Sequence, residues 1–293
     1  MKKKFLDPNI KNKAKSVEER IQFFSYNNVS LPLPTEIEIS ESGTCNRKCS
    51  FCPRSDENFI DKKEFISNEL YKKLCLELKE FDYQGTIRFS GFVEPLLDKN
   101  IYNLINKSRL NLPKVNIELV TNGDPLNKER LLKLFSSGLN KILISAYDNK
   151  ETADKLEKLC IEAGLNSNQF IVRHRYLSQE KDFGITLSNR AGLMKNAKYS
   201  IASLKEPLKK PCYIPSYTFF LDYQGDVLIC PHDWGKKIIL GNLNKENFLD
   251  IWFNKKALYL RQKLNNSNRN FSPCNVCDVE GTLIGEKNSK YFL

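Results

Sequence analysis

Histidine, methionine and tryptophan are scarce, with two of each in 293 residues, and no run of eighteen apolar residues occurs. Without such a run the sequence offers no membrane-spanning helix. The first thirty residues begin with a basic cluster but contain neither an apolar h-region nor a small-residue cleavage site. No export signal is read, and a cytoplasmic location without membrane association is expected. An apolar fraction of 41% excludes a disordered chain and can bury the core of one large domain with at most a small appendage.

The net charge of +11 comes from lysines scattered among Asn and Ile, with no aromatic-interleaved basic stripe. A solvated surface accounts for it, and a nucleic-acid partner is disfavoured, while a partly anionic substrate stays open. What the chain does have is nine cysteines. In a reducing compartment these read as metal ligands rather than disulfides. Seven of them form two groups with ligand-like spacing, whereas Cys75 and Cys160 sit on apolar helical stripes and are read as core.

After a polar, helical lead-in over residues 1–34, β-rich runs at 36–40, 86–90, 115–121, 141–146 and 169–176 alternate with helical periodicity. That alternation predicts a parallel sheet with its ligands at the C-terminal strand ends. Beyond residue 198 the pattern changes to a hairpin (218–222 and 227–230 about Tyr223-Gln224-Gly225-Asp226), a helix over about 248–264 and a Cys-rich tail. The expected organisation is a lead-in over 1–34, a barrel-like α/β domain over 35–198 and a small α+β module over 199–293.

The first cysteine group follows the first strand directly: Cys45-Asn46-Arg47-Lys48-Cys49-Ser50-Phe51-Cys52. Three thiolates can hold three irons of a 4Fe-4S cluster and leave the fourth open for chemistry. Zinc is the competing reading, but it asks for four ligands, and neither His174 nor His232 is near in sequence. Cys212, Cys230, Cys274 and Cys277 form the second group, and four thiolates satisfy either zinc or a complete 4Fe-4S cluster. Spacing alone leaves that choice open.

This CxxxCxxC loop after a first strand resembles the hallmark of the radical S-adenosylmethionine (SAM) superfamily, whose fold is a partial (βα)6 TIM-like barrel. The resemblance implies that Cys45, Cys49 and Cys52 ligate the SAM-binding cluster and that Phe51 lies against the adenine. Ser90-Gly91-Phe92-Val93-Glu94-Pro95 resembles the family's Gly-Gly-Glu-Pro stretch for the SAM amino group. Phe92 and Val93 interrupt that pattern, so backbone contacts from Ser90 and Gly91 are expected ahead of a role for Glu94. By the same resemblance Thr121 and Asn122 end the third strand at the cofactor, although Asn122-Gly123 also reads as an ordinary turn, and Ser145 ends the fourth at the ribose.

In Arg173-His174-Arg175, strand alternation puts both arginines on one face, where one could pair with the SAM carboxylate, and His174 on the other as a structural residue. Ser188-Asn189-Arg190-Ala191-Gly192 also resembles a stretch of related enzymes, which makes Arg190 a candidate for SAM or substrate binding. The words around the second cysteine group, Gly225-Asp226-Val227-Leu228-Ile229-Cys230, Gly241-Asn242-Leu243 and Pro273-Cys274-Asn275-Val276-Cys277, resemble the auxiliary-cluster module called SPASM, or Twitch in its short form. With sixteen residues and no cysteine after Cys277, the single-cluster Twitch form is expected, in a layout similar to radical SAM dehydrogenases of aminocyclitols. His232 is read as a loop residue.

The implied cofactors are two 4Fe-4S clusters and SAM. The implied reaction is cleavage of SAM to a 5'-deoxyadenosyl radical, hydrogen abstraction from a small sugar-like or cyclitol substrate, and electron transfer to the auxiliary cluster. Arg190 or Tyr147 would serve as the base, and flavodoxin or ferredoxin as external electron donor. Three alternatives stand beside it: peptide maturation, for which the lead-in leaves no room for a leader-binding domain; redox-neutral sugar epimerisation, which needs a hydrogen donor; and a zinc-stabilised binding protein.

Overall fold

The computed structural model describes residues 8–26, 28–177, 187–195 and 201–292. The first seven residues of the lead-in and the expected boundary at 198/199 lie outside them. The lead-in is only partly helical: α1 (Pro8–Glu19) is followed by a hairpin of β1 (Phe23–Tyr26) and β2 (Val29–Pro32). The hairpin's apolar residues and the left-handed Asn28 (φ 64°) at its turn carried that signal, which the helical reading passed over.

Next come β3 (Glu36–Ser40), the short β4 (Ser42–Gly43) and β5 (Lys62–Phe65), which pair across the first cysteine loop. The repeat continues through α2 (Asn68–Glu80), β6 (Thr86–Phe89), α3 (Ile101–Asn111), β7 (Asn116–Thr121), α4 (Lys128–Ser136), β8 (Lys141–Ala146), α5 (Lys150–Glu162) and β9 (Phe170–His174). Ser67, Asn127 and Asn149 begin α2, α4 and α5 by accepting the backbone N–H three residues on, the usual N-cap geometry.

β3, β6, β7, β8 and β9 are consecutive parallel neighbours, as alternating strands and helices require. Ile37, Ile39, Ile87, Phe89, Ile117 and Leu119 alternate along these strands and are fully buried. The residues between them are polar. Arg88 bridges Glu36 at 2.8 Å and Glu118 at 2.7 Å, Lys13 of α1 reaches Glu36 at 2.7 Å, and Ser90 Oγ donates to Glu38 at 2.7 Å. Carboxylates at this depth are tolerable because each finds a cation or a donor.

The C-terminal region contributes α6 (Ile214–Tyr217), β10 (Thr218–Asp222), β11 (Asp226–Leu228), β12 (Ile239–Asn242), α7 (Phe248–Phe253), α8 (Lys255–Asn265) and α9 (Glu286–Ser289). The helix expected over 248–264 is two helices, because Asn254 leaves helical geometry and caps α8 by accepting Ala257 N–H at 2.7 Å. The second hairpin strand ends at Leu228, which leaves Cys230 in the following loop. β10 lies parallel to β3 and extends the barrel sheet from its first edge, so one eight-stranded sheet runs β12-β11-β10-β3-β6-β7-β8-β9.

Candidate active site

Loops at the C-terminal ends of the strands line a cavity of about 150 Å³. Its wall includes Cys45, Cys49 and Cys52 from the loop between β4 and β5, together with Phe51. From the other strand ends come Ser90, Gly91, Glu94, Thr121, Asn122, Ser145 and Tyr147, and Arg190 closes one side. Twelve of the fourteen residues expected at the first cluster, SAM or the substrate therefore share one cavity.

The remaining two, Arg173 and Arg175, do not line it. Arg173 Nη2 donates to Ser145 Oγ at 2.6 Å and so fixes that hydroxyl from behind. Arg175 lies past the end of β9, where the alternation that paired the two arginines no longer holds. Its backbone N–H bonds Ala146 O at 2.9 Å, and its side chain is buried. His174 Nδ1 meets Tyr176 Oη at 3.1 Å, in keeping with a structural role.

The cavity's shape depends on Gly91, held at φ 97°, where a Cβ would meet the Phe220 ring at 2.9 Å. Only glycine adopts this conformation in that space without displacing the ring. Glu94 is better placed than its broken motif suggested. Its carboxylate accepts Thr121 Oγ1–H at 2.6 Å, Asn122 N–H at 2.7 Å and Leu96 N–H at 3.1 Å, tying the β6 and β7 loops together. Burial pushes its pKa up to about 7, against the pull of those donors.

Sequence reading missed three residues. Arg47, between the first two cysteines, donates to Asp124 at 2.6 Å through Nε and to both Asp148 oxygens at 2.8 Å, locking the cysteine loop to the ends of β7 and β8. Arg54 is buried and donates to Phe92 O, to Gly43 O at 2.9 Å and to Asp61 at 2.5 Å. Trp234, from the C-terminal region, packs at a tilt on Phe92 with ring centroids 4.4 Å apart and lines the cavity. A basic residue inside a cysteine loop was a visible signal for Arg47; nothing local marks Trp234, which arrives through tertiary packing.

The second cysteine group surrounds a smaller cavity of about 20 Å³, lined by Cys212, Cys230, Cys274, Cys277 and His232. Burial pushes all four thiols up, Cys277 to about 11, and Cys230, Cys274 and Cys277 are raised further by one or more of the others. Thiols arranged this way disfavour ionisation until a cation joins them. Arg269 supports the site by donating to four backbone carbonyls, of Lys210, Pro211, Val279 and Glu280.

Both sets fit iron-sulfur clusters. All nine cysteines are free thiols, and at the first cavity burial likewise pushes Cys49 up to about 11. Thiols spread around a cavity suit a cluster, whose ligand sulfurs stand apart on separate irons.

One loop joins the two cavities. Arg190 lines the first and Ala191 the second. Arg190, Ala191 and Gly192 have φ of 48°, 53° and 85°, a strained run for the two non-glycine residues. Asn189 holds it: its N–H bonds Asp278 at 2.8 Å, its Nδ2 bonds Val276 O at 2.6 Å and Ala202 O at 2.9 Å, and its Oδ1 accepts Gly192 N–H at 3.1 Å.

Comparison with known proteins agrees with this layout. Residues 39–171 match the model of the radical SAM superfamily, and residues 212–278 match that of an iron-sulfur cluster-binding domain, SPASM. The S-adenosyl-L-methionine-dependent 2-deoxy-scyllo-inosamine dehydrogenase of Niallia circulans is 28% identical over 248 residues, covering 83% of this chain and 92% of that protein. A GTP 3',8-cyclase of Rhizobium leguminosarum is 28% identical over 115 residues, or 38% of this chain and 32% of its own length. The crystal structure of BtrN in complex with AdoMet and 2-DOIA superposes with a TM-score of 0.70 at 26% identity, covering 86% of this chain and 97% of that one. SAM and 4Fe-4S clusters are accordingly the cofactors here. The chain thus carries a radical SAM domain with the cysteine loop at the barrel mouth and a SPASM domain with the C-terminal thiol cage.

Proposed function

We propose that this enzyme is an oxidoreductase that dehydrogenates a small polyhydroxylated substrate, of the sugar or aminocyclitol class, with an auxiliary cluster as the internal electron acceptor. Cys45, Cys49 and Cys52 would hold the SAM-cleaving cluster, and Cys212, Cys230, Cys274 and Cys277 the auxiliary one. When bound, the first cluster and SAM supply the radical chemistry that removes a hydrogen atom from an unactivated carbon.

The observation that carries the reading is the loop in which neighbouring residues, Arg190 and Ala191, line the two cavities. A substrate held by Arg190 would lie within a short distance of both. Arg190 Nε is buried without a hydrogen-bond partner among the described residues, and burial lowers the guanidinium's pKa. A substrate oxygen would satisfy that donor and be oriented by it. Phe51 and Tyr147 meet in a tilted ring contact with centroids 5.2 Å apart, which suits them to the adenine, so Arg190 rather than Tyr147 is the group proposed at the reacting hydroxyl. Ser145, with Arg173 behind it, and the Glu94-anchored Thr121 and Asn122 complete the cofactor wall.

Similarity over most of its length to a dehydrogenase acting on 2-deoxy-scyllo-inosamine supports the substrate class. Epimerisation would need a hydrogen donor at the substrate, and both Cys75 and Cys160 are fully buried on helices away from the cavity.

Anaerobically reconstituted protein is expected to hold ~8 irons. Supplied with SAM, a reductant and aminocyclitols including 2-deoxy-scyllo-inosamine, it is expected to form one ketone per SAM consumed. Solvent deuterium entering an otherwise unoxidised substrate would overturn dehydrogenation in favour of epimerisation.

A further inference from the structure

His232 lies in the loop after Cys230, and its ring lines the thiol cavity. Its Nδ1 is buried and has no hydrogen-bond partner among the described residues. A buried ring nitrogen left unpaired is unfavourable, so the folded holoprotein should provide a partner for it. The cavity offers few acceptors. Apart from sulfur, its wall is made of apolar side chains and Arg269, whose guanidinium is itself a donor already engaged with backbone carbonyls.

We propose that His232 hydrogen-bonds the auxiliary cluster through Nδ1–H and thereby sets its reduction potential, without being an iron ligand. Four cysteines complete the cluster's coordination, so the imidazole acts from outside it, and the tautomer with its proton on Nδ1 is the one that meets a sulfur. A donor aimed at cluster sulfur stabilises the more negative, reduced form and raises the potential. The inference rests on the assignment of the four C-terminal cysteines to the auxiliary cluster.

The test uses the full chain with Cys45, Cys49 and Cys52 all replaced by Ala, so that the auxiliary cluster is observed alone. Because the chain has only two histidines, labelling the imidazole nitrogens with 15N and recording pulsed EPR on the reduced cluster reads His232 almost directly. A weak ring-nitrogen coupling is expected, lost in His232→Asn and retained in His174→Asn. Redox titration should place His232→Leu lower by about tenfold in the reduced-to-oxidised ratio at fixed potential, ~59 mV for a one-electron couple. His232→Asn, which keeps an N–H near the Nδ1 position, should restore most of the shift.

No ring coupling, or a strong coupling typical of ligation, overturns the proposal, as does an unchanged midpoint in His232→Leu. The labelled wild-type side chain decides even where His232→Leu loses iron. An iron-free triple variant would overturn the cysteine assignment itself, a failure distinct from a loaded cluster with no histidine coupling.

Discussion

At position 190 an arginine that lines the cavity occupies left-handed backbone, φ 48°, and its buried Nε has no partner among the described residues. Neither feature helps the fold by itself: the backbone strain is unfavourable and the buried donor is unsatisfied. The network around Asn189 maintains both. Replacing Arg190 with Met should therefore leave iron content and substrate-free SAM cleavage near wild type while lowering product formation ~10²–10³-fold, the range for loss of one preorganised donor. Equal effects on cleavage and on product would move Arg190 from substrate to cofactor. The arginine was legible because it sits in a recognisable stretch; its strain and missing partner were not, since both arise from contacts with residues almost ninety positions away, at Asp278 and Val276.

Among elements, the cysteine loop depends most on a contact outside itself. Arg47 ties it to Asp124 and Asp148, and Asn46 adds a bond to Asp124 at 2.7 Å, so two further strand ends fix the position of the three thiols. Supporting contacts of this kind typically affect metal affinity by 10–100-fold. Arg47→Ala is expected to weaken retention of the first cluster's iron within that range, measured by chelator challenge, with the second cluster unaffected; retention equal to wild type would contradict the clamp. β3 and β8 have the bounds that their β-branched runs predict, and the other barrel strands differ by only a few residues. Sequence patterns failed where a polar residue interrupts an apolar stripe, as Asn254 does between α7 and α8, and where Arg175 falls beyond the last ladder pair of β9. Periodicity records which face is apolar but carries little information about where a backbone leaves the element.

Across the whole molecule, the division expected near residue 198 is not a division of the sheet. β10 pairs with β3 from Thr218↔Glu36 to Asp222↔Ser40, Trp252 Nε1 donates to Pro32 O at 3.0 Å, and Lys73 donates to Leu243 O at 2.6 Å. One hydrophobic cluster contains Ile37, Leu74, Phe219 and Trp252 alike. Thermal unfolding of the holoprotein is thus expected to show a single transition, with both clusters' absorbance lost together. Two separated transitions would contradict a shared core. The order of types along the chain revealed the barrel and the module, but not that the module's first strand extends the barrel's first edge, because nothing in a strand's composition names its neighbour.

The central claim is that Cys45, Cys49 and Cys52 hold the cluster at which SAM is cleaved. Quantifying 5'-deoxyadenosine from oxygen-free, reduced protein tests it most directly, with Cys49→Ala and Cys277→Ala alongside the wild type. The account predicts release by the wild type, none above background from Cys49→Ala, and continued release from Cys277→Ala wherever its first cluster is loaded. Release from Cys49→Ala at the wild-type rate would contradict it.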